Sequence, residues 1–274
     1  MTTPASLKEY RHSLSDRESK ILSNLSYEGK SVFTVNDIKR FVKDPENILD
    51  SLRRKKWLLK IKRGVYAIAP LEAGEKGSEA YALHSFSIGS FLVEPYYIAY
   101  WSALNHYGLT DQTPPAVYIA TTKPRNSRRI LNTQFKFVTI PKRKLFAVEK
   151  VEIEKRKINI SSREKTIADC LDHPEHAGGV EEVAKAIYFA SRNAEIDFNR
   201  LVDCSRRLGN SAVLKRLGYI AETLNIKDLS RLLSASKLAS GYSAFDPALP
   251  KKGRIRERWK LLVNASIDPE KWSA

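Results

Sequence analysis

Residues Phe33–Ala69 read FTVNDIKRFVKDPENILDSLRRKKWLLKIKRGVYAIA. In this stretch Thr34, with Asp37 three residues on, has the chemistry of a helix N-cap for a segment through Val42, and Asp44-Pro45 supplies a cap and first-turn proline for the next. Two helix starts this close leave only a tight turn. The second helix runs to about Lys56, with Ile48, Leu49 and Leu52 on one stripe and Asn47, Asp50, Ser51 and Arg54 on the other. Trp57, Leu59 and Ile61 then alternate with Leu58, Lys60 and Lys62, and Arg63-Gly64 turns the chain into Val65–Ile68, a pattern that suits a two-stranded ribbon with a cationic tip. Helix, turn, helix and basic hairpin is the order of a winged helix-turn-helix that reads DNA. Ser15 and Glu18 form a capping box for the preceding helix, whose Ile21, Leu22 and Leu25 close the core such a module needs. The expected DNA-binding residues are Asn47, Ser51, Arg53, Arg54, Lys55, Lys60, Lys62 and Arg63.

At 274 residues the chain exceeds one winged helix and can bury a second, larger core. Forty-seven Lys and Arg against 31 Asp and Glu leave a net charge of +16, which favours a polyanionic partner through counterion release. No apolar run approaches the roughly 20 residues of a spanning helix, and no apolar core of a signal peptide stands at the N-terminus, so a cytoplasmic protein is expected. Cys170 and Cys204 lack partners at metal spacing and read as buried free thiols.

Leu71–Ala80 is polar and glycine-bearing and marks a linker between a DNA-binding domain over 1–70 and a second domain over 81–274. Tyr81 to Phe91 is mildly apolar, and its type is left open. Pro95 to Tyr107 is rich in aromatic core residues, with Gly108 at the place of a helix C-terminal glycine. Strands are expected at Val117–Thr121, Phe135–Ile140, Val151–Ile153 and Ile158–Ile160, then a helix opened by a Ser161/Glu164 capping box. Helices follow over Val180–Arg192, Phe198–Leu208 (capped by Asp197), Ala212–Leu224 and Asp228–Leu238, and last a basic strand, Arg254–Val263, with Ile255, Trp259 and Leu261 facing inward. The fold class is therefore α+β: a winged helix-turn-helix and a larger mixed α/β domain, its small sheet within 81–175 and a helical lobe within 176–274. Residues 111–160 hold twelve Lys and Arg against four acids, a surplus of eight, with Lys123, Arg125, Arg128 and Arg129 on a predicted loop and Lys142, Arg143 and Lys144 beyond the next strand. Solubility charge, nucleic acid and an acidic protein partner remain open for this patch.

The chain resembles the AbiEi-like antitoxins and transcriptional regulators of type IV abortive-infection toxin-antitoxin systems. The likeness rests on Leu58–Ala67 (LLKIKRGVYA), on Tyr97–Leu109 (YIAYWSALNHYGL) followed by Pro114-Pro115 and Val117–Thr121, and on Ser162–Leu171 (SREKTIADCL) followed by Asp172–Gly179 (DHPEHAGG). It implies an N-terminal winged helix that binds inverted repeats in the protein's own promoter. A C-terminal domain then counteracts a nucleotidyltransferase-like toxin, in most descriptions without a stable complex. It also implies that Lys60, Lys62 and Arg63 face the DNA backbone. Charge density, not the resemblance, nominates Lys123, Arg125, Arg128 and Arg129 as the antitoxin patch.

Rival readings are a plain regulator whose second domain senses a ligand or dimerises, and a restriction-type nuclease. The nuclease needs clustered carboxylates with a lysine, yet at Glu152, Glu154 and Lys155 the E-x-K spacing fails and no Pro-Asp pair precedes it. Asp169, Asp172, His173 and His176 are the other candidate cluster, but Pro174 breaks the helical spacing that would align two ligands, so they read as a polar helix terminus. Gly178-Gly179 lacks the Lys-Ser or Lys-Thr of a phosphate loop, and His84 and His106 lack a nearby Ser or Cys arrangement that would suggest nucleophilic catalysis. No catalytic residue, metal or cofactor is expected.

Overall fold

The computed structural model describes residues 11–79, 83–154, 156–193, 195–234 and 236–272. Tyr81, where the second domain is expected to begin, and Lys155 lie outside them. The chain forms two compact units, residues 1–92 with 153–156, and residues 93–152 with 157–274.

In the first unit the Ser15/Glu18 box opens α1 (Asp16–Tyr27), with the Glu18 carboxylate accepting the Ser15 N–H at 2.7 Å. β1 (Val32–Thr34) follows, and Asp37 accepts from the Thr34 N–H and hydroxyl to start α2 (Val35–Lys39). This helix ends three residues short of the expected Val42, because the amides of Phe41 and Val42 both turn back to the Ile38 carbonyl. Asp44 and Pro45 open α3 (Pro45–Arg54). The hairpin of β2 (Leu58–Lys62) and β3 (Val65–Ile68) turns at Gly64, φ +74°, and β3 also pairs antiparallel with β1, giving the order β1-β3-β2. Leu25, Phe33, Ile38, Leu49, Leu52 and Leu58 fill the core beneath. The segment after β3 folds back on this module: Arg11 donates to the carbonyls of Ala69 and Pro70 and stacks on Trp57, while the Ser78 N–H bonds the Lys56 carbonyl at 2.8 Å. Gly77, φ +53°, is needed there, since a Cβ would stand 2.4 Å from that carbonyl. α4 (Ser85–Gly89) completes the unit, its first turn held by Glu154, which accepts from the His84 N–H and the Ser87 hydroxyl.

The second unit contains a six-stranded mixed sheet built from β4 (Tyr96–Ile98), β5 (Val117–Thr121), β6 (Arg128–Ile130), β7 (Thr133–Thr139), β8 (Val148–Ile153) and β9 (Arg156–Ser161), ordered β6-β7-β5-β4-β9-β8. β5 runs parallel to β7 and antiparallel to β4. Two strands escape the sequence pattern. β4 is too short and aromatic to separate from the helix after it, α5 (Tyr100–His106). β6 takes Arg128 and Arg129 out of the predicted loop: a turn at Leu131-Asn132 pairs Ile130 with Thr133, and the backbone ladder to β7 outweighs the lack of apolar alternation.

α6 (Arg163–Asp172) is buried from Glu164 to Asp172. Its cap is Ser162, whose hydroxyl accepts the Lys165 N–H, one residue later than expected, because Ser161 is still in β9. A helix enclosed on all sides must pair its polar groups internally. Lys165, fully buried, pairs with Asp169 and donates to the Tyr97 hydroxyl at 3.0 Å. Against it pack α7 (Val180–Arg192), α8 (Phe198–Arg207) and α9 (Ser211–Thr223), and on α8 and α9 lies α10 (Lys227–Ser234), which stops short of the expected Leu238. One continuous core joins Tyr97, Tyr118, Ile167, Ile187, Leu201 and Leu217.

The chain closes with β10 (Ser243–Ala244), β11 (Arg254–Arg256) and β12 (Leu261–Val263), ordered β10-β12-β11. Trp259 and Leu261 are buried as expected, whereas Ile255 is 56% exposed, because β11 is an edge strand with all three residues in solvent. The Trp259 ring lies directly on Gly218 of α9 and donates from Nε1 to Glu222 at 2.8 Å. Gly to Ala inside a helix ordinarily stabilises by up to about 1 kcal/mol. A Cβ at Gly218, however, would stand 2.0 Å from the Trp259 ring. Gly218→Ala is therefore expected to destabilise by about 1–3 kcal/mol through overpacking. Urea denaturation checks the sign, and a stabilised variant would contradict this packing.

Candidate nucleic-acid interface

α3 is anchored by Leu49 and Leu52, at most 1% exposed, which turns Asn47, Asp50, Arg53 and Arg54 outward. These four line an open groove with Leu58 and Lys60 of β2. A neighbouring groove continues from Glu46 and Asp50 past Lys60 to Arg63 and Gly64 at the hairpin turn. Helix face and hairpin thus border one concave surface. Asn47 donates to Asp44 at 2.7 Å and Arg53 to Asp50 at 3.1 Å, so both side chains are pre-oriented at the groove. Lys60, Arg54 and Arg63 are exposed, and Lys62 is half-buried.

Ser51 and Lys55 take a different direction. The Ser51 hydroxyl donates to Glu18 at 2.7 Å, and the Lys55 ammonium pairs with the same carboxylate at 2.6 Å. Glu18, 4% exposed, therefore collects α1's own cap, Ser51 of α3 and Lys55 at that helix's C-cap. Burial pushes its pKa up, but Lys55, the Ser15 amide and the Ser51 and Ser15 hydroxyls outweigh that and bring it down to about 2. Asp37 is likewise brought to about 2, burial being overcome by Lys30 and Thr34.

Asp50, on the polar stripe of α3 with Asn47, Ser51 and Arg54, borders both grooves. A carboxylate here can accept from the exocyclic amine of cytosine in a major groove.

In the second unit Lys123, Arg125, Arg128 and Arg129 are all exposed. Lys142 and Arg143 are exposed as well, but Lys144 is drawn inward to pair with buried Asp172, which also accepts from Asn210. The residues weighed for catalysis are engaged elsewhere. Glu154 holds the first turn of α4, His84 accepts the Phe86 N–H through Nδ1, and Asp169 pairs with Lys165. Burial raises the thiol pKa of Cys170 well above its ordinary value and that of Cys204 to about 11. Gly179 lies against Asp246, whose carboxylate accepts the Val180 N–H and so occupies the N-terminus of α7.

The groove lies within a segment that comparison identifies. Residues 21–69 match the AbiEi antitoxin family of transcriptional regulators. The AbiEi-matched segment runs from within α1 to just past β3 and so takes in α2, α3 and the hairpin. No curated protein sequence matches the chain significantly. The crystal structure of RV2827C protein from Mycobacterium tuberculosis is similar in fold over 93% of this chain and 94% of that one, with a TM-score of 0.67 at 18% identity. Among the described residues no helix is long and apolar enough to cross a membrane.

The depressed Glu18 pKa makes α3's attachment pH-dependent. Because the folded value, about 2, lies below the ordinary 4.5, the stabilisation is complete above about 4.5 and is lost as pH falls through 2. Its size is on the order of 3 kcal/mol. The difference in unfolding free energy between wild type and Glu18→Gln should hold steady from neutral pH to about pH 5 and shrink below it. Chemical denaturation across that range checks this, and a gap that persists unchanged to the acid limit would count against the ion pair.

Proposed function

We propose that this protein is an autorepressor and antitoxin: a winged helix-turn-helix made by α1–α3 and the β2–β3 hairpin binds double-stranded DNA at inverted repeats in its own promoter, and the second unit counteracts a nucleotidyltransferase-like toxin. The observation that carries the first half is the shared groove between the outward face of α3 and the cationic hairpin, inside the AbiEi-matched segment. Asn47, Asp50 and Arg54 stand where base edges would be met, with Arg54 offering the forked donor that pairs with guanine. Lys60, Lys62 and Arg63 supply phosphate contacts. Ser51 and Lys55 act through Glu18, holding α3 in position. The second half is supported by the likeness of the aromatic and DCL stretches to the family, and by the exposed cations Lys123, Arg125, Arg128 and Arg129. On this reading the protein works in the cytoplasm.

Binding of the purified protein to its promoter should weaken steeply with salt, since each phosphate contact adds about 0.9 to the slope of log affinity against log salt. Arg54→Ala should cost about 1–3 kcal/mol and relax sequence preference, whereas Arg63→Ala should weaken all sequences alike and lower the salt slope by about one. Fluorescence anisotropy with operator and scrambled duplexes separates the two, and indistinguishable sequence profiles would overturn the assignment. Charge reversal at Arg125, Arg128 and Arg129 in the full chain should leave operator binding intact and reduce rescue of cells expressing the toxin. Undiminished rescue would return the patch to solubility charge.

A further inference from the structure

The stretch His173-Pro174-Glu175-His176 lies between α6 and α7, and its last three residues form a 3-10 turn. In an α-helix Pro174 would disrupt any ligand pair. Here α6 has already ended, and His173, its C-cap at φ −132° and ψ 71°, stands outside the 3-10 turn. The rings of His173 and His176 face one another across the turn, centroids 5.7 Å apart and planes within 24°. Glu175 projects beside them, and the ligand atoms of all three residues lie within 4.8 Å of one another.

The surroundings are those of held ligands. His173 meets Glu175 through Nδ1 at 2.9 Å, while its Nε2 stands 3.6 Å from the carboxylate of Asp172, itself buried and fixed by Lys144 and Asn210. At 3.6 Å the Asp172 carboxylate adds negative charge behind the ring rather than a hydrogen bond. His176 stands edge-on to Tyr100 at 5.3 Å and lies 5.6 Å from Tyr118. Tyr100 is buried and holds φ +53°, a conformation a bulky residue adopts at a cost of about 1–3 kcal/mol and that clusters at functional sites. The cations nearby include Lys144, paired with Asp172, Arg216, which donates to the Leu171 carbonyl at 2.6 Å, and Lys136, whose ammonium lies over the Tyr118 ring at 5.3 Å.

We propose that His173, Glu175 and His176 bind one divalent transition-metal ion of the zinc class. Two imidazoles and a carboxylate suit such an ion, with the remaining position taken by water.

The test uses the full chain, untagged and stripped with a chelator. Calorimetric titration with zinc chloride should show uptake of one ion per chain, and cobalt(II) should give visible absorption from a low-symmetry site. Excess magnesium should displace neither, because imidazole ligands disfavour it. His173→Ala should abolish the cobalt spectrum and Glu175→Gln should weaken zinc binding at least about tenfold. Both residues are partly exposed, so these variants should keep the wild-type circular dichroism. His106→Ala should bind as wild type does. Failure of the wild-type chain to take up stoichiometric zinc would overturn the proposal. So would zinc and cobalt binding that His173→Ala and Glu175→Gln leave unchanged.

Discussion

The geometry of the candidate interface depends on one buried carboxylate. Glu18 begins as a local device, the reciprocal half of the cap on α1, and ends as the junction through which α1 grips Ser51 and Lys55 of α3. A carboxylate at 4% exposure is costly unless its oxygens are saturated, and here four donors do so. The cost is thereby converted into specificity of position. Leu49 and Leu52 bring α3 to the core, but a hydrophobic contact is non-directional, and the Glu18 hub sets which side of the helix turns outward.

The same principle operates at the centre of the second unit. α6 is enclosed by sheet and helices, so Lys165 and Asp169 satisfy each other and Tyr97 closes the set. Nothing in a one-dimensional pattern distinguishes such a helix from an amphipathic surface one. SREKTIADCL alternates charge with apolar residues, and its charges are inside all the same.

How much was legible follows from where the information resides. Capping at Ser15, Thr34 and Asp197, the glycine turn at Gly64 and the helix over Val180–Arg192 are written in local chemistry and stand where the sequence places them, whereas Asp44 sits at the N-cap position of α3 with its carboxylate accepting from the Asn47 side chain instead of the backbone. Helix ends that depend on tertiary closure, as at Lys39 and Ser234, come early. β6 exists only because β7 is beside it, and Ile255 is exposed only because β11 is an edge, facts that no window of residues contains. At the interface, cations were easy to nominate, but the division between groove-lining Arg53 and Arg54 and Glu18-bound Ser51 and Lys55 required the partner helix. Asp50 stands on the polar stripe that the helical spacing of α3 already picks out. The turn at His173–His176 misleads: α-helical spacing dismisses it, yet α6 has ended before His173 and the two rings meet across the turn.

The seating of Trp259 on Gly218 has a temporal consequence. The last long stretch of helix, α9, presents a bare backbone patch that only a side chain some forty residues later can cover, and Leu261 beside it belongs to the same core. During synthesis the module of α1–α3 and its hairpin has every one of its core residues available once Ile68 has emerged. The second core stays open until the chain is nearly finished. Domains fold as units from the N-terminal end of a growing chain. A ribosome partway through this message therefore carries the groove-bearing module already closed, well before the larger unit can bury its last tryptophan.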